Sequence, residues 1–172
     1  MRRCVRLFAM MVFSLLTTAL IVSPASAQNA QLAADVQRLS ACIDAAYPEG
    51  EAMPVPGQKP PQRPRPGACS GLVVAACGGG ATCDARESRA WLHLARQSGA
   101  NEWAKKNAKY HAPVVAGLQR QAVAICTAAA SASAWGNDQV PKGQYKPTLD
   151  TPCVREAIAG MAIPLLGNAR GM

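Results

Sequence analysis

The chain has 172 residues, a formal charge of +8, 49% hydrophobic residues and seven cysteines. That length suits one domain with appendages. A charged fraction of 16% is too low for a disordered polyampholyte, and no Gly-X-Y period or heptad run points to a fibre. Both phenylalanines, Phe8 and Phe13, fall near the start, so any core downstream is built mainly from Ala, Val, Leu and Ile. Such a core buries little area per residue, and cysteine staples would help hold it.

Residues 1–27 read as an export signal. Arg2, Arg3 and Arg6 precede an apolar stretch from Leu7 to Val22, and Pro24 breaks it ahead of the small-x-small site Ala25-Ser26-Ala27. The stretch is short for a membrane span and carries Ser14, Thr17 and Thr18. Cys4 would leave with the signal. Cleavage after Ala27 removes three arginines and no acid, so the net charge falls from +8 to +5.

Six cysteines then remain: Cys42, Cys69, Cys77, Cys83, Cys126 and Cys153. An even number in an exported chain reads as a disulfide framework, because the compartment is oxidising. A zinc site is disfavoured: no Cys-x-x-Cys occurs, and His93 and His111 are not spaced with cysteines as ligand pairs. The sequence leaves many pairings open. Cys126–Cys153 is the expected single pair, since it would close the polar loop between the last two helices. Cys77–Cys83 and Cys42–Cys69 would then complete the set.

Four helices and one insertion are expected along the mature chain. The first occupies 28–46, with Asn29 as N-cap and Leu32, Val36, Leu39 and Ile43 on one face. Residues 47–67 hold seven prolines with Lys59, Arg63 and Arg65, and read as a disordered, polyproline-like insertion dispensable for folding. The rest of the domain is 68–172. It begins with a cysteine-bracketed corner at Gly78-Gly79-Gly80, which lacks the Lys-Ser/Thr of a phosphate loop. Asp84 and Glu87 resemble a capping box opening a second helix, with Trp91, Leu94 and Ala95 inward. Lys105-Lys106-Asn107-Ala108-Lys109 is a solvated basic face. Pro113 in a first turn starts a third helix, whose stripe is Val115, Leu118, Ala122, Ile125 and Ala129. Asp150-Thr151-Pro152 opens the last helix, with Val154, Ile158 and Met161 inward and Pro164 and Gly167 closing it.

No catalytic constellation stands out. Hydrolysis needs a nucleophile with a base, or two opposed carboxylates. Neither histidine has a serine or cysteine motif beside it, the acids are few, and the cysteines are expected to be oxidised. The expectation is a non-enzymatic protein without metal or cofactor.

A resemblance appears at Cys83. The run Cys83-Asp84-Ala85-Arg86-Glu87-Ser88-Arg89-Ala90-Trp91 resembles the Cys-x-x-x-Glu-x-x-x-Trp helix of the LprI-like family of exported lysozyme inhibitors. The flanking layout is similar too: Cys69-Ser70-Gly71, then Cys77 before a glycine/threonine turn, Cys126 late in a long helix, Trp135-Gly136 in a small-residue loop, and Cys153-Val154-Arg155 opening the last helix. The chain departs from the family's polar signature at Leu92, Ala95, Ala122 and Val123. The resemblance implies an all-α, disulfide-stapled bundle of about four helices, in the periplasm or secreted. It also implies a lysozyme or another exported protein as partner. The alternative is a structural envelope protein that binds acidic cell-envelope polymer through its basic surface. Neither reading involves nucleic acid or a stable membrane span after cleavage. For a bound partner the candidate anchor is the small-residue loop Trp135-Gly136-Asn137, whose aromatic could fill a cleft; the alternative is that Trp135 packs under its own loop.

Overall fold

In the computed structural model the described residues are 24–48, 65–134 and 146–170. The fold is all-α, a small domain held by three disulfides. Four long helices carry it: α1 (Pro24–Ala46), α3 (Ala81–Gln97), α5 (Ala108–Ala134) and α6 (Pro152–Ala169). Two short helices, α2 (Leu72–Cys77) and α4 (Glu102–Lys106), and 3-10 turns at Pro66–Cys69 and Ser98–Ala100 connect them. The contacts divide the chain at Gln31, and residues 25–31, before that point, are exposed positions of α1. Among the described residues no helix is long and apolar enough to cross a membrane.

From Leu32 onward, α6 is the central element, packed along α3 on one side and α5 on the other. Its buried positions Val154, Ile158, Ala162 and Leu166 recur every four residues and meet Trp91, Leu94 and Ala95 of α3 and Leu118 and Ala122 of α5 in one core. Leu39 and Ile43 of α1 join that core, with Leu32 and Val36 at its edge. Small residues at the contacts let helices approach closely. Gly167 is an example, since a Cβ there would stand 3.1 Å from the Tyr47 ring.

All three disulfides form the expected pairs. Cys42–Cys69 ties α1 to the first 3-10 turn, Cys77–Cys83 spans the glycine corner, and Cys126–Cys153 joins α5 to the start of α6. Their Cα–Cα separations are 5.7, 5.8 and 5.9 Å. The two long-range bridges each close 27 residues of chain, worth about 3–4 kcal/mol apiece in the chain-entropy model. The corner itself needs glycine: Gly78, Gly79 and Gly80 have φ of 91, 85 and 92°, a left-handed run that side chains rarely adopt.

Several boundaries differ from expectation. Asn29 is not an N-cap, because it lies inside α1, among alanines that favour helix. Pro113 does not start α5. Asn107 accepts the N–H groups of Tyr110 and His111 through its carbonyl, at 2.9 and 3.0 Å, so the helix is already wound when Pro113 arrives. Pro164 and Gly167 do not close α6, which runs to Ala169; the carbonyl that loses its donor belongs to Gly160, an exposed residue. The inward stripe of α5 is Leu118, Ala122 and Cys126, with Val115 half-buried, whereas Ile125 is 50% exposed and Ala129 is exposed. The disulfide to Cys153 sets that rotation.

At the ends of the proline segment, Tyr47 packs on Gly167 and Pro66–Gly67 wind into the 3-10 turn, so both margins are built into the fold. Residues 49–64 lie outside the described residues. Replacing residues 50–63 with a short Gly/Ser linker should leave helical circular dichroism per residue and the melting temperature nearly unchanged, since loop closure costs little more as loops lengthen. An insoluble product would show the segment to be structural. Non-reduced peptide mapping should recover the three cysteine pairs, and any peptide joining Cys126 to an N-terminal cysteine would contradict the fold.

Candidate functional site

The residues that carry the Cys83-x-x-x-Glu87-x-x-x-Trp91 pattern recur every four positions, which places them along one side of α3. That side faces inward. Cys83 is bonded to Cys77, and Trp91 is fully buried in the core. Glu87 is also fully buried, with no exposed surface.

A buried carboxylate is stable only when its oxygens are satisfied. Those of Glu87 are met by the start of α2. Oε1 accepts the Gly71 N–H at 2.6 Å, and Oε2 accepts those of Val73 and Val74 at 3.0 and 3.1 Å. These are N–H groups that a helix start leaves without backbone partners, and their aligned dipoles favour a negative charge. The indole Nε1 of Trp91 donates to Oε1 at 3.2 Å. Gly71 makes the geometry possible: its φ of 89° turns the chain into α2 and presents the N–H to Glu87. Cys69, two residues earlier, is bonded to Cys42 and fixes the approach.

The expected capping box does not form. Gly80 is the N-cap of α3 and offers no side chain, so Asp84 is free to pair elsewhere and Glu87 caps α2 instead of its own helix. Asp84 Oδ1 lies 2.9 Å from Nε of Arg155, an ion contact off the hydrogen-bond axis. The same guanidinium places NH1 3.9 Å from Glu87 and NH2 2.9 Å from the exposed Glu156. One arginine of α6 thus serves three carboxylates.

A second polar bridge ties α1 to α3. Arg86 donates through Nε and NH2 to the two oxygens of Asp35 at 3.0 and 2.8 Å, and NH1 reaches Cys77 Sγ at 3.2 Å. Asp35 is 1% exposed. Its hydrogen bonds raise the pKa of Arg86 above the usual arginine range and hold it protonated. Ser88 donates to the Leu149 carbonyl at 2.8 Å and so anchors the segment leading into α6. Sequence reasoning missed Asp35, and it named Arg155 beside Cys153 without giving it a role. Both had a signal: Asp35 falls three residues after Leu32 and four before Leu39, within the apolar stripe, and Arg155 stands two residues after Cys153.

The opposite side of α3 is open. Two clefts lie between α3 and α5, of about 360 and 570 Å³. The first is lined by Leu92, Arg96, Gly99, His111 and Val115, the second by Ala85, Arg89, Val123 and Leu149, and Gln119 borders both. At the far end of the first cleft, His111 is 4% exposed, with Nε2 3.0 Å from Ser98 Oγ. Ser98 donates its own proton to the Ala95 carbonyl at 2.7 Å, so the imidazole N–H donates to the hydroxyl rather than activating it. Trp103 meets the ring edge-on at 6.0 Å between centroids. Trp135, Gly136 and Asn137 lie outside the described residues, as do residues 1–23 with the apolar run. Among the described residues no group of His, Cys, Asp and Glu is placed to hold a metal.

No family model, curated protein or solved structure matches the chain.

Glu87→Gln should destabilise the domain by about 3–5 kcal/mol, because four donors would compete for one oxygen and Arg155 would lose a buried counter-charge. Glu156→Gln, at an exposed partner of the same arginine, should change stability by less than about 0.5 kcal/mol. Thermal melts of the two variants separate these cases. Equal melting temperatures would refute the role assigned to Glu87.

Proposed function

We propose that the chain is an exported, non-enzymatic binding domain, built on a frame like that of LprI-like lysozyme inhibitors and acting in the periplasm or after secretion. The observation that carries this reading is the inward commitment of its chemically capable side chains. Glu87, Asp84, Asp35 and their arginines are consumed in holding helices together. The serine–histidine pair found among the described residues, Ser98 and His111, has its hydroxyl proton engaged by a backbone carbonyl. Such a molecule is a rigid scaffold whose surface is free to bind. Three disulfides suit an oxidising compartment, and the signal-like residues 1–27 supply the route.

Inhibition of a basic lysozyme is expected to be weak. The mature chain carries a net charge of +5, so encounter with another basic protein starts against a repulsive field. The family's polar positions are occupied here by Leu92, Ala95, Ala122 and Val123, all at least half-buried. A better-matched partner is an acidic exported protein.

Two measurements test this. Turbidity clearance by a basic lysozyme, at low and physiological salt with excess mature protein, should be nearly unaffected. Submicromolar inhibition would contradict the charge argument, and its loss in Trp135→Ala would place the contact at that loop. Affinity capture from periplasmic and host-secretion extracts, with the mature protein as bait, should enrich an acidic protein. Turnover of a substrate by the purified protein would overturn the non-enzymatic reading.

A further inference from the structure

The open face between α3 and α5 combines two exposed arginines with an apolar floor. Arg89 and Arg96 are exposed, line the two clefts and have no ion-pair partner among the described residues. The other arginines of the hub, Arg86 and Arg155, are each spent on carboxylates. Arg89 and Arg96 are seven residues apart, two turns of one helix, so their stems are separated by about 10 Å along the axis. Between them the floor is apolar, formed by Leu92 of α3 and the half-buried Val115 of α5, and it continues beyond Arg89 with Ala85 and the half-buried Val123. Gln119, exposed and bordering both clefts, offers an amide donor and an acceptor at mid-length. The face carries one acid, Asp150 at the end of the larger cleft, which accepts a hydrogen bond from the Thr148 hydroxyl.

We propose that this groove binds an extended acidic segment of a partner protein, with two carboxylates three residues apart and an apolar side chain between them. An extended or polyproline-like chain advances about 3.1–3.4 Å per residue, so carboxylates at i and i+3 span the same 10 Å as the two arginines. In a polyproline-like chain they also share one side, because the repeat is three residues. The intervening apolar side chain covers Leu92 and Val115, and Gln119 pairs with a backbone amide of the segment. The apolar floor decides between partner classes. An acidic polysaccharide supplies the charge but nothing to bury on Leu92, Val115 and Val123. The assignment rests on the reading of the chain as a binding domain and gives that reading its partner chemistry.

The test uses the disulfide-intact mature protein and a capped octapeptide with Glu-Leu-Pro-Glu at its centre, followed by amide and Gln119 side-chain NMR shifts. Saturable shifts confined to the groove are expected at low salt. Affinity should fall about fivefold with Arg89→Ala or Arg96→Ala, fall similarly when the peptide glutamates become glutamines, and weaken with added salt. Both arginines are exposed and unpartnered, so neither substitution should move the melting temperature. Absence of shifts at millimolar peptide, or affinity indifferent to both substitutions, overturns the proposal. Polygalacturonate binding more tightly than the peptide, with the same arginine dependence, overturns it in favour of an acidic polymer. A partner captured equally by the wild-type chain and by the Arg89→Ala, Arg96→Ala double variant refutes the groove and leaves the binding-domain reading standing.

Discussion

The Glu87 carboxylate is the interaction on which the domain depends. A charge taken fully out of water is tolerated only where fixed dipoles replace its hydration. Here the replacement comes from the N–H groups of Gly71, Val73 and Val74, from the Trp91 indole and from the distant guanidinium of Arg155. The dependence is mutual. Helix α2 has six residues, too few to persist on propensity alone, and it is the carboxylate that satisfies its start. Once α2 is held, Val73 seals the core and Cys77 is positioned for Cys83 across the glycine corner. Remove the charge and the corner, the short helix and the Trp91 packing lose their common support.

Electrostatic balance follows the same logic. The interior side of α3 gathers three carboxylates, Asp35, Asp84 and Glu87, against two arginines, Arg86 and Arg155. The third carboxylate is neutralised by a helix start rather than by a side chain, which is why the cluster closes without another cation. An alanine-rich core that buries modest area is thus reinforced by directional bonds and disulfides, of which Arg155 and Cys126–Cys153 reach α6 and the others tie α1 and α2 to their neighbours. These groups are engaged in holding the helices together. On the other side of α3, Arg89 and Arg96 are exposed and have no ion-pair partner among the described residues.

Much of the fold was legible in the chain because periodicity and cysteine usage are strong signals. The steps of three and four through Leu32, Val36, Leu39 and Ile43 marked α1, and the loop between Cys126 and Cys153 suggested their bond. Helix ends were less legible. Pro113 and Pro164 look like boundaries, yet both sit at exposed positions within helices where a lost backbone bond faces water. The rotation of α5 was misjudged at Ile125 because a helix can continue its stripe by three or four residues, and only the bond from Cys126 to Cys153 decides. The site was half-legible: Cys83, Glu87 and Trp91 were singled out, but Glu87 was assigned to its own helix. Local spacing cannot reveal that a carboxylate caps a helix preceding it by more than ten residues, since that contact exists only after the glycine corner has folded back.

The account stands most directly on native-state hydrogen exchange of the Gly71, Val73 and Val74 amides and the Trp91 indole N–H, measured by NMR on the disulfide-intact protein. If Glu87 holds the start of α2, these four protons exchange only with global unfolding and share one protection free energy. Fast exchange at Gly71, Val73 and Val74, as at a frayed and solvated helix start, would contradict it.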